Sequence, residues 1–197
     1  MRIPGNVLPR VEVLPGERYA TNAATEMKTL LGSCVAACLY DPEAGVSGLN
    51  HFLLAAPRYA RSLPFVATEA GRYGIHAMEL LINDMMKLGA VRSRLKAKVF
   101  GGASVLGVSH ESRFLCVNEV NQRFIKEYLA TERIPIVSED LGGRLGRVIH
   151  FHSDSYRVYR RFIRAKDTEV VEDGELAYWR AEVQGEKPEG GEIILFQ

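Results

Sequence analysis

Residues 35–54 read VAACLYDPEAGVSGLNHFLL, and the fold is read outward from them. The first six, VAACLY, form an apolar run of strand length with no charge in it, the pattern of a strand buried on both faces. Asp41-Pro42-Glu43-Ala44-Gly45 follows with turn chemistry in order: Asp to start the turn, Pro to fix φ, Gly to close it. A second strand at 46–54 begins at once, so the pair predicts an antiparallel hairpin. Residues 34 and 51 then stand toward its open ends, where paired strands bring distant positions side by side.

Outward from this hairpin the chain alternates between punctuation and periodicity. Residues 1–20 hold Pro4, Pro9, Pro15, Gly5 and Gly16, which forbid a long helix and predict an arm with a short strand at 11–14. Residues 55–70, broken by Pro57 and Pro64, read as a loop. Tyr73, Ala77, Leu80, Leu81, Asp84 and Leu88 then recur at helical spacing, and Gly89 is placed to end that helix. A strand at 95–100 runs into Gly101-Gly102. A second helix is expected over 119–132, capped by Asn118, with Val120, Phe124 and Tyr128 inward. Strands at 134–138, 147–152 and 156–163, with Gly142-Gly143 as a turn, complete the body. This order is not a regular βα alternation, and no repeat interrupts it. The expected class is α+β: a layered β-sheet core with two main helices packed on the outside.

With 197 residues, 47% hydrophobic and 25% charged, the chain is long enough and apolar enough to close one core unaided. We assign residues 1–166 to one domain and 167–197 to an acidic C-terminal extension, where nine acidic residues face two basic ones. That extension reads either as an added strand pair, around 177–183 and 193–196, or as partly disordered. A net charge of +1 gives no general reason to expect nucleic acid. Prolines and charges near the N-terminus break the apolar run a signal peptide needs, and no later segment has the apolar length of a membrane span. Three cysteines do not make a disulfide framework. A cytoplasmic location, without membrane insertion, is the expectation.

Each thiol must then be packing, ligand or nucleophile. Cys34 sits in Leu30-Leu31-Gly32-Ser33-Cys34-Val35, where a small, glycine-containing turn lets backbone amides converge near the sulfur, as an oxyanion hole requires. An ordinary thiol ionises near about 8.5, and a neighbouring imidazole that takes its proton makes it a nucleophile at neutral pH. His51 is the candidate, because the hairpin folds it back toward Cys34. The residues alone read more readily as core thiols at Cys34 and Cys38 with His51 a hydrogen-bonded strand residue. Cys116, between Leu115 and Val117, reads as core. His150 and His152 share a strand face but have no evident third ligand, so they read as surface histidines and no metal site is expected. Gly101-Gly102 serves either a cleft or a tight turn. The run Arg157, Arg160, Arg161, Arg164 and Lys166 reads as a charged strand edge, blunted against aggregation, that could also meet acidic helices.

The words around these residues add a resemblance. LGSCVAACLYDPEAGVSGLNHFLLAAP, then YGIHAMELLINDMMKLGA, then LKAKVFGGAS, resemble the chemoreceptor glutamine deamidase (CheD) family in order and spacing over residues 10–165. The GSC…NH pair is specific and the FGGA loop supports it. The resemblance implies that Cys34 is the nucleophile and His51 its base. It also implies a threonine a few residues upstream of the cysteine that orients the histidine. By count that position falls on Lys28, whose ammonium cannot accept an imidazole N–H, so either Thr29 serves or another group does.

The resemblance further implies hydrolytic deamidation of glutamine side chains on methyl-accepting chemoreceptor cytoplasmic domains, in chemotaxis, with residues 1–166 as the deamidase domain. The reaction would run through a Cys34 thioester, with backbone amides near Gly32, Ser33 and Cys34 meeting the oxyanion and no metal, nucleotide or organic cofactor. Two other functions stay open: a methylesterase acting on receptor glutamate esters through the same thioester, and a regulatory binding partner of the CheC-type chemotaxis phosphatase.

Overall fold

A computed structural model describes residues 8–54, 69–104, 117–164 and 171. Among these, nine strands and two α-helices follow one another as β1 (Arg10–Glu12), β2 (Arg18–Thr21), β3 (Glu26–Leu31), β4 (Val35–Asp41), β5 (Val46–Phe52), α1 (Glu69–Lys87), β6 (Lys96–Gly101), α2 (Val117–Thr131), β7 (Ile136–Leu141), β8 (Arg147–His152) and β9 (Val158–Phe162), with a 3-10 turn at Arg92–Arg94 before β6.

The central hairpin forms as its residues predict, with Val35 opposite Phe52 and Asp41 opposite Val46. Asp41 closes it: Oδ1 accepts the N–H groups of Glu43 and Ala44, and Gly45 takes the left-handed φ of 68° that ends the turn. The hairpin lies inside a five-stranded sheet of order β2-β5-β4-β6-β7. Its pairings are antiparallel except β6 with β7, which run parallel because α2 carries the chain back between them.

A second sheet, β1-β3-β8-β9, covers one face of the first. Both helices pack on the other. β4 and β5 are buried at every position because both faces are covered, which accounts for their unbroken apolar reading. Alternation sends Val35, Ala37, Leu39 and Phe52 toward the helices, where they meet Met78, Leu81, Phe124 and Ile125. The opposite set, Cys34, Ala36, Cys38 and Leu49, packs against Met27, Leu31, Ile149 and Phe151 of the second sheet. The architecture is thus helices, sheet, sheet: an α+β fold with both helices outside, as expected.

Several details differ from the sequence reading. β1 comes earlier than the strand expected at 11–14, and β2 and β3 are additions to it. The buried stripe of α1 runs through Met78, Leu81, Ile82 and Met85, leaving Tyr73 and Leu88 exposed. The helix is turned because Gly74 lies against Phe124, where a Cβ would stand 2.6 Å from the ring. α2 begins at Val117, which puts Asn118 inside its first turn instead of at the cap. β9 starts two residues later than expected, since Tyr156 turns the chain at φ 54° and stacks on Tyr40 with ring centroids 4.5 Å apart. The strand pair proposed for 177–183 and 193–196 lies outside the described residues. Val171 does pack with Val148, Ile163 and Leu30 on the outer side of the second sheet. No helix among the described residues is long and apolar enough to cross a membrane.

Candidate functional site

The nucleophile candidate sits where β3 hands over to β4. Gly32, Ser33 and Cys34 form the bend between the two sheets, and each of their carbonyls is held by a different donor. Ala103 N–H donates to Gly32 O at 2.8 Å, Asn121 Nδ2 to Ser33 O at 3.0 Å, and Gly102 N–H to Cys34 O at 2.7 Å. The Gly101-Gly102 loop is therefore built against this bend. Gly101 has φ 112°, and a Cβ there would stand 2.2 Å from Cys34 O, so no other residue fits without displacing the cysteine. Gln122 braces the loop from behind by donating to Gly102 O at 2.7 Å.

His51 lies opposite Ala36 on the neighbouring strand. Directly opposed residues face the same side, and Cys34 is two residues before Ala36, so Cys34 and His51 share a face as diagonal neighbours. That face is the layer between the sheets, where Cys34 is 0% exposed and His51 1%. From the opposing sheet, Thr29 alternates inward with Met27 and Leu31 and brings its hydroxyl 2.8 Å from His51 Nδ1. The same hydroxyl donates to Val13 O at 2.6 Å. A carbonyl can only accept, so the hydroxyl proton is committed there, and His51 Nδ1–H donates to Thr29 Oγ1. Nε2 is then the basic nitrogen of the ring. Thr29, not Lys28, occupies the place beside the histidine. Lys28 points to the outer face of its sheet and pairs with Glu12 at 2.8 Å.

The other candidates fall elsewhere. Cys38 shares the inter-sheet layer and is as buried as Cys34, but it lies in mid-strand, away from the bend, and burial pushes its thiol far up against a weaker opposing pull from Lys98. The two thiols form no disulfide. Cys116 lies outside the described residues. His76 is exposed on α1 and lines a cleft whose wall includes Tyr73, Leu80, Arg18 and His51 itself, beside β5. His150 Nδ1 meets Glu26 Oε1 at 2.5 Å, and Arg10 holds the same carboxylate. His152 leans on the Tyr159 ring. Among the described residues no group of three His, Cys, Asp or Glu could hold a metal ion. The arginine run lies on and around β9, which ends its sheet among the described strands. There Arg160 pairs with Asp140 at 3.0 Å and stacks 3.8 Å over Phe162, while Lys166 is outside the described residues.

Asn121 is the site residue that the sequence reading missed. It is 0% exposed, and besides holding Ser33 O its Oδ1 accepts Leu54 N–H at 2.8 Å. Its signal was present: positions 117, 121, 124 and 128 make one helical stripe, and an amide among Val, Phe and Tyr there is a buried polar group needing partners.

Comparison with protein families matches residues 58–162 to CheD, described as CheD chemotactic sensory transduction. Among curated proteins the chain is similar to "Probable chemoreceptor glutamine deamidase CheD 1" of Geobacter sulfurreducens. The two are 49% identical over 187 residues, which covers 94% of this chain and 93% of the relative. It is also similar to "Probable chemoreceptor glutamine deamidase CheD 2" of Shewanella oneidensis, 45% identical over 190 residues and covering 94% of each chain. The family match begins after the hairpin, whereas spans as long as these two necessarily include it.

Proposed function

This chain belongs to the CheD family, and from that premise we propose that it hydrolyses glutamine side chains of chemoreceptor cytoplasmic domains to glutamate, with Cys34 as nucleophile and His51 as base. The observation that carries the reading is the hydrogen bond between Thr29 and His51. It turns the basic nitrogen of an otherwise buried imidazole to the side that does not face Thr29, on the sheet face that bears Cys34.

The chemistry follows from these groups. His51 Nε2 takes the Cys34 proton, and the thiolate attacks the side-chain carbonyl carbon of glutamine. The tetrahedral oxyanion is met by backbone N–H groups of the Gly32-Ser33-Cys34 bend. When the intermediate collapses, the C–N bond breaks, His51 gives the proton to the departing ammonia, and a thioester remains on Cys34. Water, deprotonated by His51, attacks the thioester, and the proton returns to the sulfur as glutamate leaves. The receptor exchanges a neutral amide for a carboxylate, and the enzyme ends unchanged. Thr29 acts through His51 and is a positioning residue.

Mass spectrometry of a receptor cytoplasmic fragment incubated with the protein tests this. Glutamine-to-glutamate conversion with the parent, and none with Cys34→Ala, is the expected result. Loss of methyl groups from glutamate esters, with every amide left intact, would instead identify an esterase using the same site.

A further inference from the structure

The bend that carries Cys34 is held by hydrogen bonds at three successive residues. Three successive carbonyls, those of Gly32, Ser33 and Cys34, are fixed by three separate donors, and two of the three donors are backbone amides of the Gly102-Ala103 loop. The third is a side chain, the Asn121 amide. In a trans peptide the C=O and the following N–H point in opposite directions, so fixing the Ser33 carbonyl fixes the direction of the Cys34 N–H. That carbonyl is pulled toward α2, and the amide on the same plane is therefore aimed away from α2. Asn121 also ties Leu54, three residues past His51, to the same helix. One buried amide thus links the nucleophile's peptide to the chain just past the strand that carries the base.

We propose that Asn121 is a positioning residue of this site, holding the Ser33–Cys34 peptide so that its N–H is set in advance for the oxyanion of the tetrahedral intermediate. The proposal rests on the acyl-transfer reading above and deepens it. An asparagine suits the position because it must donate to Ser33 O and accept from Leu54 N–H at once. Leucine has the volume and neither bond. Aspartate keeps the acceptor but sets a carboxyl oxygen against the Ser33 carbonyl. The role is separable from that of His51, because thiol ionisation depends on the imidazole while oxyanion stabilisation depends on the peptide plane.

The test compares parent, Asn121→Asp and Asn121→Ser by two readouts: kcat and KM for ammonia release from a receptor fragment, and the pH profile of Cys34 alkylation by iodoacetamide. Serine leaves room for a water in place of the amide and serves if the aspartate variant does not fold. The expected result is a fall in kcat of about tenfold or more, in the direction seen when an oxyanion donor is lost, with KM and the alkylation profile close to the parent's. Parent kcat in a folded variant overturns the proposal, as does a parallel loss of alkylation and turnover, which would mark Asn121 as a packing residue only. A parent that turns over while Cys34→Ala does not keeps the acyl-transfer reading whatever Asn121 shows. A parent that leaves receptor glutamines unchanged overturns both.

Discussion

The hydroxyl of Thr29 and the imidazole of His51, carried on different sheets, meet at 2.8 Å in the buried layer between them. Thr29→Val keeps the shape and removes both hydrogen bonds of the hydroxyl. It leaves Val13 O and His51 Nδ1–H to be satisfied elsewhere, at a cost of about 1–3 kcal/mol for each buried group that is not. We expect kcat to fall about tenfold or more as the ring loses its orientation, with KM little changed, and Thr29→Ser to restore much of it. Steady-state ammonia release with thermal melts checks this, and an unaltered kcat in Thr29→Val would show that His51 needs no orienter.

Cys34→Ala should abolish turnover and leave the fold intact, because alanine fits the bend. Cys38→Ala, at a mid-strand position with no side-chain hydrogen-bond partner among the described residues, should cost about 1 kcal/mol and keep turnover. Paired activity and urea unfolding measurements on the two variants decide the assignment. An inactive but well-folded Cys38→Ala would move the nucleophile to the other thiol.

Alkylation separates the thiols without a substrate. Cys34 should react with iodoacetamide near neutral pH and slow by about tenfold or more in His51→Ala, since the imidazole then no longer takes the proton. Cys38, as buried as Cys34 but held in its neutral form, should stay nearly inert in both proteins and act as the internal control. Peptide mapping of the labelled sites reads both rates. Equal Cys34 rates with and without His51 would separate the pair.

Gly101→Ala brings a methyl group to 2.2 Å from Cys34 O at a φ of 112°, so either the loop or the nucleophile must move. We expect a loss of at least about 2 kcal/mol in stability, of the order of a strained backbone position combined with overpacking. Turnover should fall further than stability alone explains. Gly45→Ala is the control: it has positive φ but nothing within 4 Å of the added carbon, so it should lose stability without losing activity. Equal effects of the two on turnover would mean that the loop does not hold the bend.

Acid should weaken the hairpin turn. Burial pushes the Asp41 carboxyl up, but hydrogen bonds from Arg94 and from the N–H groups of Val91, Ala44 and Glu43 outweigh it and hold the group down to about 2. This lies below the unfolded value of about 3.9, so the linked stability is fully present above about pH 4 and is lost as pH falls toward about 2. Urea midpoints measured down that range should drop, and Asp41→Asn should lower the neutral value and flatten its share of the slope. A slope identical to the parent's would remove Asp41 from the account.

The hairpin was legible because VAACLY and DPEAG are local signals, and both helices because their apolar stripes repeat. β3 was not, because its inward set Met27, Thr29, Leu31 contains a hydroxyl, and a polar residue in the buried phase hides the alternation. The same residue decided the histidine question, since the choice between Lys28 and Thr29 is a choice of strand face. Counting along the chain cannot supply a face, but pairing Lys28 with His150 and Thr29 with Ile149 does. Asn121 and the Gly101 contact depend on segments 67 to 88 residues from their partners, and no local pattern announces such a meeting.

The division of labour between the two sheets sets an order in time. Every strand of the sheet that bears the Cys34–His51 hairpin has been synthesised once Leu141 has been added, whereas Thr29 lies on β3, whose neighbours include β8 at Arg147–His152. β3 reaches that neighbour across more than a hundred residues, a pairing that closes late because the loop entropy must be met first. A growing chain therefore holds every strand of the hairpin's sheet before β3 has its β8 neighbour. The surroundings of the Thr29–His51 contact are thus the part of this layer completed last along the chain.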